Sequence, residues 1–283
     1  MTENVRFTKG HGTENDFVLL DDPEGRAELD PQQVVALADR RAGIGGDGVI
    51  RAVRTRRAGI DAPADAPEWF MDYRNADGSL AEMCGNGVRV LAAHLRRAGH
   101  VREDRFAIWT RAGLRTVEIL DHPADEGAPW SVRVGMGVSA LVPAARAVEV
   151  DGHQLEATDV DMGNPHAVAF LPADLDLADL DLTRRSPVLD PAPADGANIE
   201  LVARRGDRHV AMRVLERGVG ETRSCGTGVA AVAVAAAHRA GDETGEPWTV
   251  DVPGGRLQVG WSAEREVTLT GPAVLVADGT LLA

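Results

Sequence analysis

The residues whose types and spacing most directly suggest chemistry are the two cysteines of the chain. Cys84 opens the segment CGNGVRVLAAHLRRAG, and Cys225 opens the similar segment CGTGVAAVAVAAAHRAG. Because both cysteines occupy the same position of an internal repeat, we predict a duplicated fold that presents one thiol from each half. Two facing thiols suit a reaction that takes a proton from one side of a carbon atom and returns one to the other side.

Each cysteine precedes Gly-x-Gly and an apolar run, a pattern that predicts a cysteine at the N-terminus of a helix. Unpaired backbone N–H groups and the positive end of the helix dipole lie there. We therefore expect the thiol pKa to fall below its free value of about 8.5. The same N–H groups can hold a carboxylate, and the glycines let a ligand approach the backbone closely. This chemistry fits removal of the weakly acidic α-hydrogen of an amino acid, with one cysteine as thiolate base and the other as thiol acid.

Other interpretations of the cysteines have to be weighed. A single cysteine is most often a small buried hydrophobic residue, and Gly-x-Gly is often only a turn, but neither explains the repeat. The CxxC spacing of zinc sites is absent, and a site that added His166 and Glu216 to the cysteines fits the helix-start placement less well than acid–base work does. A thiol redox sensor that forms a regulatory disulfide stays an alternative.

Composition limits the classes of function. The chain has 283 residues, 44% of them hydrophobic and 26% charged, and a net charge of −14. This indicates a globular protein, most naturally of two domains, and argues against nucleic acid or an anionic membrane as partner. Because the N-terminal segment lacks the apolar run of a signal peptide and no stretch reaches the length of a membrane span, we expect a cytoplasmic protein that acts on a small molecule.

Strand patterns dominate the chain, with alternating or β-branched residues between Gly and Pro breaks. They occupy residues 115–120, 131–136, 209–216, 256–261 and 266–271. Asp30 is a good N-cap for a helix from Pro31 to Arg41. The runs Val88–Leu95 and Val229–Ala237 lack a polar face, which is typical of enclosed helices.

These patterns predict an α+β fold of two pseudo-symmetric domains, each a curled, mainly antiparallel sheet around a central helix, with the active site in the cleft between them. Residues 1–128 and 271–283 form the half that carries Cys84, and residues 129–270 form the half that carries Cys225. The Asp- and Pro-rich stretch from Asp174 to Ala197 is expected to be a surface excursion, and GIGGDG (43–48) a turn-rich loop near the site.

Longer motifs make a specific resemblance. GHGTENDFVLL, GIGGDG, YRNADGSLAEMCGNGVR, MGNPHAV, NIE and ERGVGETRSCGTG follow one another along nearly the whole chain. In wording and order they resemble the diaminopimelate epimerases. The resemblance implies interconversion of LL- and meso-diaminopimelate, in the synthesis of lysine and peptidoglycan precursors, with no pyridoxal phosphate, other cofactor or metal.

The resemblance also implies roles for particular residues. Cys84 and Cys225 correspond to the acid–base thiols, and His166 and Glu216 to groups that tune the cysteines or the α-ammonium. A buried guanidinium at Arg217 would bind the distal carboxylate with two parallel hydrogen bonds. The substrate-binding set implied is Asn15, Asn75, Gly85, Asn86, Asn164, Asn198, Glu216, Arg217, Gly226 and Thr227.

Three positions depart from the family pattern. Gly48 stands where many members have Gln, Ala167 where Cys is common, and Ala277 where many have a Tyr that supports dimerisation. A homodimer is therefore expected less firmly than the chemistry. Two further rivals are a proline or hydroxyproline racemase-type enzyme, which would not need Arg217, and a non-catalytic amino-acid-binding protein, which would not need both thiols.

Overall fold

The computed structural model describes residues 5–27, 29–125, 127–182, 186–262 and 266–282. It is rich in strands and has few helices. The chain divides into two compact units, the first made of Met1–Gly135 with Gly271–Ala283 and the second of Met136–Thr270. The sequence predicted that the first unit ends at residue 128, before the strand Trp130–Gly137. That strand pairs with the strand Gly113–Asp121 and so belongs mostly to the first unit.

The first unit alternates strands with two α-helices. In chain order its elements are β1 (Arg6–Gly12), β2 (Asn15–Asp21), α1 (Pro31–Ala38), β3 (Gly48–Arg54), β4 (Trp69–Asn75), α2 (Gly85–Arg97), β5 (Arg105–Thr110), β6 (Gly113–Asp121) and β7 (Trp130–Gly137). Strands β2 and β3 pair in parallel, as do β4 and β5, and the other successive pairs are antiparallel. Helix α2 joins β4 to β5 and packs against β1, β2, β3 and β6.

The second unit contains one α-helix. Its elements are β8 (Ala140–Val150), β9 (His153–Asp161), β10 (Pro165–Phe170), β11 (Val188–Asp190), β12 (Asn198–Gly206), β13 (His209–Glu216), β14 (Gly220–Thr222), α3 (Gly226–Ala240), β15 (Trp248–Val252), β16 (Gly255–Trp261) and the start of β17 (Val267–Thr280). Strands β10 and β12 pair in parallel, as do β13 and β15. The successive pairs β9–β10, β12–β13 and β15–β16 are antiparallel.

The same succession of pairings therefore occurs in both units. An antiparallel pair leads to a parallel pair, a second antiparallel pair, a parallel pair joined through a buried helix, and a third antiparallel pair. In each unit the cysteine stands at the start of the helix that makes the second parallel connection. This matches the positions of the cysteine repeat in the sequence.

The predicted strands are confirmed within β6, β7, β13, β16 and β17, and the enclosed character of α2 and α3 is confirmed as well. Gly85 to Leu95 of α2 and Gly228 to Ala237 of α3 are buried throughout. Side chains on all sides of these helices are removed from water, which explains why neither sequence shows a broad polar face. None of the helices described is long and apolar enough to cross a membrane.

Two predictions of extent were wrong. Helix α1 begins as expected with a capping box between Asp30 and Gln33, but it ends at Ala38 rather than Arg41. The Asp39 carboxylate accepts the backbone N–H groups of Arg41 and Ala42, a local turn that competes with further helix. The stretch from Asp174 to Ala197 is more than a surface excursion.

Four leucines of that stretch are buried within the second unit. Leu177, Leu180 and Leu182 lie in its core cluster with Leu189 of β11. The Asp and Pro residues around them give the segment the composition of a loop, although its leucines anchor it to the strands. The average composition of the segment therefore did not indicate that these leucines are buried.

Candidate active site

Both cysteines occupy the N-cap position that the sequence predicted. Cys84 has extended backbone angles, and its carbonyl accepts the N–H of Val88 at 2.9 Å. Cys225 has the same geometry, and its carbonyl accepts the N–H of Val229 at 2.9 Å. Both are free thiols, Cys84 half-buried and Cys225 buried. Gly85 and Asn86, and Gly226 and Thr227, form the first turns of the helices, where N–H groups lack helical partners.

Asn15 links the Cys84 thiol to its surroundings. Its Oδ1 atom accepts from the Cys84 Sγ at 3.5 Å and from Asn86 Nδ2 at 3.2 Å. Its Nδ2 atom donates to Asp47 Oδ2 at 2.7 Å. Three of the predicted site residues of the first unit are thus in direct contact, and Asp47 fixes the orientation of the Asn15 amide.

The position of Asn15 depends on an unusual hairpin between β1 and β2. Thr13 and Glu14 both have positive φ, at 51° and 60°, and Gly12 pairs with Asn15 across the turn. A two-residue turn with both φ values positive matches the twist of a hairpin, but it is costly for a β-branched residue such as Thr. Such strain is often found at functional sites, and here the turn delivers Asn15 to the thiol.

The predicted turn-rich loop carries Asp47, which sequence reasoning missed as a site residue. Asp47 also accepts from the N–H of Asp16 and from Arg40 Nη2, so the carboxylate is held from several sides. Asp16 in turn is paired with Lys9 and Arg40, which hold the pKa of its carboxyl well below the ordinary range against the opposing effect of burial. An acidic residue inside a glycine-rich loop was the only signal for it in the sequence.

Asn75 lies beside this loop, but in the described residues its side chain bonds Ser79 and neither Cys84 nor Asn15. It pairs with Gly48 across β3 and β4, and its Nδ2 donates to Ser79 Oγ at 3.0 Å. A Cβ at Gly48 would lie 2.5 Å from the Arg74 carbonyl oxygen and 2.6 Å from Tyr73 Cε2. Glycine is therefore the residue that this backbone accepts at position 48, which gives a physical reason for the departure from the family pattern.

The Cys225 thiol lies among hydroxyl and carboxyl groups. Its Sγ is 3.5 Å from Thr227 Oγ1, and the Glu216 carboxyl at the end of β13 lies near enough for its charge to act on the thiol. Glu216 also accepts from the Thr222 hydroxyl of β14. The hairpin of β13 and β14 therefore brings the predicted Glu216 to the thiol.

His166 occupies a fully buried position in the second unit, on β10. Its Nδ1 lies 2.6 Å from Glu200 Oε1, and its Nε2 lies 3.1 Å from Asn164 Oδ1. Asn164 Nδ2 is 3.5 Å from Thr227 Oγ1, the hydroxyl that also contacts Cys225. Each ring nitrogen thus faces an oxygen atom, and a chain of polar contacts joins His166 to the start of α3.

Glu200 is a site residue that the sequence reasoning passed over. It is 0% exposed, and among the described residues its Oε2 has no hydrogen-bond partner. A Cβ at Gly228 would lie 2.8 Å from Glu200 Oε1 and 3.5 Å from the Cys225 Sγ, so the missing side chain lets the carboxylate approach the thiol. A carboxylate within the apolar strand NIELVA was the available signal, because alternation places it on the same face as Asn198.

The expected fall in thiol pKa is wrong for Cys225. Burial raises the pKa of this thiol well above its ordinary value, and the carboxylates of Glu216 and Glu200 raise it further. Hydrogen bonds from Thr227 and from the Gly228 N–H act in the opposite direction but are outweighed. Burial likewise raises the pKa of Glu216. Removal from water and two nearby acids thus overcome the helix dipole, and Cys225 holds its proton.

Replacing Glu216 by Gln should accelerate alkylation of Cys225 by iodoacetamide at neutral pH. The change removes a negative charge beside the thiol and keeps the side-chain shape, so the pKa of Cys225 should fall and the thiolate fraction rise. Mass spectrometry of the peptide that contains Cys225 gives the rate, with Cys84 as internal control and the exposed Glu243→Gln variant as matched control. An unchanged rate would mean that this carboxylate does not govern the protonation of the thiol.

Asn198 and Arg217 are in contact through the backbone. Asn198 Oδ1 accepts the Arg217 N–H at 2.9 Å, and Asn198 Nδ2 donates to the Pro165 carbonyl at 3.3 Å. The Arg217 guanidinium donates to the Asp195 carbonyl, and no carboxylate pairs with it in the described part of the chain. Its predicted burial is wrong: the side chain is exposed, because it stands in the turn between β13 and β14.

One group of possible metal ligands lies apart from Asn15, at the other end of β2. Asp21 Oδ1 is 2.7 Å from His100 Nε2 and 3.9 Å from His94 Nε2. The nearby His94 and the hydrogen bond with His100 hold the pKa of the Asp21 carboxyl below its usual range despite burial. The direct contact of Asp21 with His100 is a hydrogen bond between the two side chains, and neither cysteine belongs to the group.

Comparisons with known proteins identify the family of the chain. The family model for diaminopimelate epimerase matches residues 7–142 and 158–276. A diaminopimelate epimerase of Streptomyces coelicolor is 54% identical, over 99% of this chain and 96% of its own. Those of Rhodococcus jostii (48% identical, 97% of this chain and 96% of its own) and Corynebacterium glutamicum (46% identical, 99% of each) are similar over nearly their full lengths.

Solved structures share the fold at low sequence identity. A Bacillus anthracis phenazine biosynthesis protein of the PhzF family superposes with a TM-score of 0.67 at 15% identity, over 100% of both chains. A hydroxyproline epimerase from Agrobacterium vitis gives 0.66 at 15% identity, over 99% of this chain and 93% of its own. These likenesses show the fold alone. The chain belongs to the diaminopimelate epimerase family and is an isomerase.

Proposed function

We propose that the chain epimerises LL-diaminopimelate to meso-diaminopimelate without a cofactor, in the synthesis of lysine and peptidoglycan precursors. The observation that carries the proposal is the repeated placement of a free cysteine at the start of a buried helix, once in each unit. Family membership supplies the substrate, and the paired helix starts supply a reason for the chemistry. The fold by itself supplies neither, since it also occurs in a phenazine biosynthesis protein.

In the proposed reaction one thiolate takes the α-hydrogen and the other cysteine returns a proton to the opposite face. The C–H bond breaks, its proton forms an S–H bond on the base, and the electron pair passes into the α-carboxylate. The second S–H bond then breaks as its proton reaches the carbon. Cys225 holds its proton because its pKa is raised. We therefore assign Cys225 as the acid and Cys84 as the base in the reaction direction that begins with Cys225 protonated. The roles exchange for the reverse direction.

The backbone at the two helix starts would stabilise the charge that develops on the substrate carboxylate. Gly85 with Asn86, and Gly226 with Thr227, offer N–H groups that helical bonds do not use. Donors aimed at developing charge in a site that excludes water act strongly on the transition state. The α-carboxylate is therefore the substrate group that we place against these turns.

The remaining polar residues would hold the ammonium groups and the distal end of the substrate. We propose that His166 and Glu216 tune Cys225 or bind the α-ammonium, and that Arg217 binds the distal carboxylate. The support is that the Glu216 charge raises the pKa of the Cys225 thiol and that Arg217 carries a charge with no carboxylate partner in the described residues. The asparagines proposed to bind substrate are Asn15, Asn75, Asn164 and Asn198.

We also propose the finer description of the fold. The two units are pseudo-symmetric domains, each a curled sheet around a central helix, which the shared succession of strand pairings supports. The domain bounds, the cleft between them, a cytoplasmic location and a homodimer stay predictions. Ala277, where the family pattern has a dimer Tyr, is exposed on β17 and pairs with Lys9 of β1.

The protein is expected to exchange the α-hydrogen of LL- and meso-diaminopimelate with solvent and to interconvert the two without added cofactor. Proton NMR in D₂O with reduced protein would follow loss of the α-proton signal, and chiral chromatography would follow the isomers. Proline and hydroxyproline in parallel samples test the racemase alternative that shares the fold. Absence of exchange with every amino acid, in a folded and reduced sample, would contradict the enzymatic proposal and favour a binding protein.

A further inference from the structure

Arg89 is a fully buried arginine on α2, one turn beyond Cys84. Its side chain is 0% exposed and among the largest buried in the chain. Arginine is almost never fully buried unless an acidic group pairs with it. No ion pair to Arg89 occurs within the described residues, and burial lowers the pKa of its guanidinium to about 10. Burial of a cation without a carboxylate costs free energy, so we expect the charge of Arg89 to act on another group.

The hydrogen bonds of the guanidinium are few and long. Nε donates to the Pro272 carbonyl at 3.3 Å and Nη2 to Thr13 Oγ1 at 3.4 Å. Nη1 has no hydrogen-bond partner among the residues described. A guanidinium has five N–H donors, so these two contacts leave most of its capacity unused. Backbone and hydroxyl contacts therefore do not explain why a charge is buried here.

The neighbours of Arg89 are the neighbours of the Cys84 thiol. A Cβ at Gly12 would lie 2.9 Å from Arg89 Nη2 and 3.1 Å from the Asn86 carbonyl oxygen. Asn86 and Cys84 both donate to Asn15 Oδ1. The guanidinium thus lies between the first turn of α2 and the strained turn that delivers Asn15. Burial lowers the pKa of the Arg89 guanidinium, and within the described residues an ionised Cys84 would act in the opposite direction.

The second copy of the repeat shows the opposite charge arrangement. Where CGNGVR places Arg89, the matching segment CGTGVA places Ala230. Cys225 instead has the carboxylates of Glu216 and Glu200 beside it, and these keep its proton in place. A cation is buried with one thiol and two acids with the other. Environments that push two matched titratable groups in opposite directions are the pattern of an acid–base pair.

We propose that Arg89 is a positioning residue whose buried positive charge favours loss of the proton from the Cys84 thiol. The reaction that this thiolate serves rests on the proposed function, but the electrostatic effect on Cys84 does not. The assignment explains why a cation stands at a position where burial of an apolar side chain would cost less free energy. It also explains the difference between two otherwise similar helix starts.

Within the described residues, other charged groups on and near the elements packed against α2 have partners of their own, and Arg115 of β6 donates to the Leu114 carbonyl at 2.8 Å. Lys9 and Arg40 pair with Asp16, Arg51 pairs with Asp72, His94 and His100 face Asp21, Arg97 pairs with Asp278, and Arg105 and Arg133 pair with Glu118. His11 of β1 accepts the Glu14 N–H through Nδ1. Among these described groups, Arg89 is the fully buried cation that no carboxylate pairs with.

The test is the pH profile of Cys84 alkylation by iodoacetamide, read by mass spectrometry for each cysteine separately. Arg89→Met removes the charge and keeps much of the volume, and it should slow Cys84 alkylation at neutral pH by about tenfold or more, equal to a rise of at least about one unit in pKa. Arg89→Lys keeps a cation and should restore most of the rate. Cys225 in the same samples should react as in the wild type.

Two results would overturn the proposal. One is a Cys84 profile in folded Arg89→Met that superposes on that of the wild type. The other needs no variant and covers the case in which Arg89→Met fails to fold: a wild-type Cys84 profile with its midpoint at or above the free-thiol value of about 8.5. Neither measurement uses diaminopimelate. A protein with the expected profile but no epimerisation would therefore contradict the proposed function and leave the assignment of Arg89 standing.

Discussion

Replacing either Cys84 or Cys225 by alanine is expected to abolish epimerisation of diaminopimelate and to leave the fold intact. A two-base reaction needs a proton-transfer group on each face of the α-carbon, and such a group typically contributes about 10²- to 10⁴-fold. Because alanine fits wherever a small buried thiol did, and both helices begin with backbone bonds that the substitution keeps, circular dichroism and thermal unfolding should change little.

The control for these variants is Glu82→Ala, an exposed position in the loop that precedes Cys84. It should epimerise diaminopimelate at the wild-type rate. Serine in place of either cysteine keeps a weakly basic hydroxyl and could still support exchange on the face of the remaining thiol. Near-normal epimerisation by either alanine variant would show that a single base, or a different residue, carries the reaction.

Arg217→Lys is expected to lower kcat/KM for diaminopimelate by on the order of 10- to 100-fold. Hydrogen bonds to charged groups contribute about 1.5–3 kcal/mol, and lysine keeps the charge but loses the paired donors that match a carboxylate. The guanidinium is exposed in this structure and bonds a backbone carbonyl, so among the described residues no carboxylate would have to be displaced from it by the substrate. Steady-state kinetics with LL-diaminopimelate measures the loss.

The same preparation should react with a thiol probe at Cys84 and Cys225 as fast as the wild type. Arg217 contributes to neither helix start, so its replacement should separate substrate recognition from thiol activation. Arg204→Lys is the matched control. Arg204 is exposed on the neighbouring strand β12, and in the described residues its side chain donates only to the Gly206 carbonyl. Normal turnover by Arg217→Lys would mean that another residue recognises the distal end of the substrate.

Much of the local structure could be predicted because it depends on residues that are close in the chain. The Gly-x-Gly after each cysteine and the apolar runs that follow were enough to predict two helix starts, and α2 and α3 begin there. Alternating side chains were enough to predict β6, β7, β13, β16 and β17. The end of α1 was missed because the Asp39 turn competes with a helix whose pattern continues.

The site was predicted less completely, because its chemistry depends on contacts between residues far apart in the chain. Glu200 reaches the Cys225 region through a parallel pairing of β10 with β12, which brings Asn198 opposite His166. Asp47 reaches Asn15 because β3 follows β2 in parallel. Neither pairing leaves a short-range pattern, so neither carboxylate could be assigned from spacing alone.

The sequence by itself determined that the protein has two thiols at equivalent helix starts, and it contained the motifs of its family. Tertiary structure decided that the pKa of the Cys225 thiol is raised. The helix dipole, a local property, predicts a lowered pKa at both, whereas burial and carboxylates from β12 and β13 raise the pKa of Cys225. Desolvation and charge act through space, and they depend on which strands the fold brings together. The burial of the Arg89 charge near the first helix start, where the second repeat has Ala230, likewise depends on the tertiary structure.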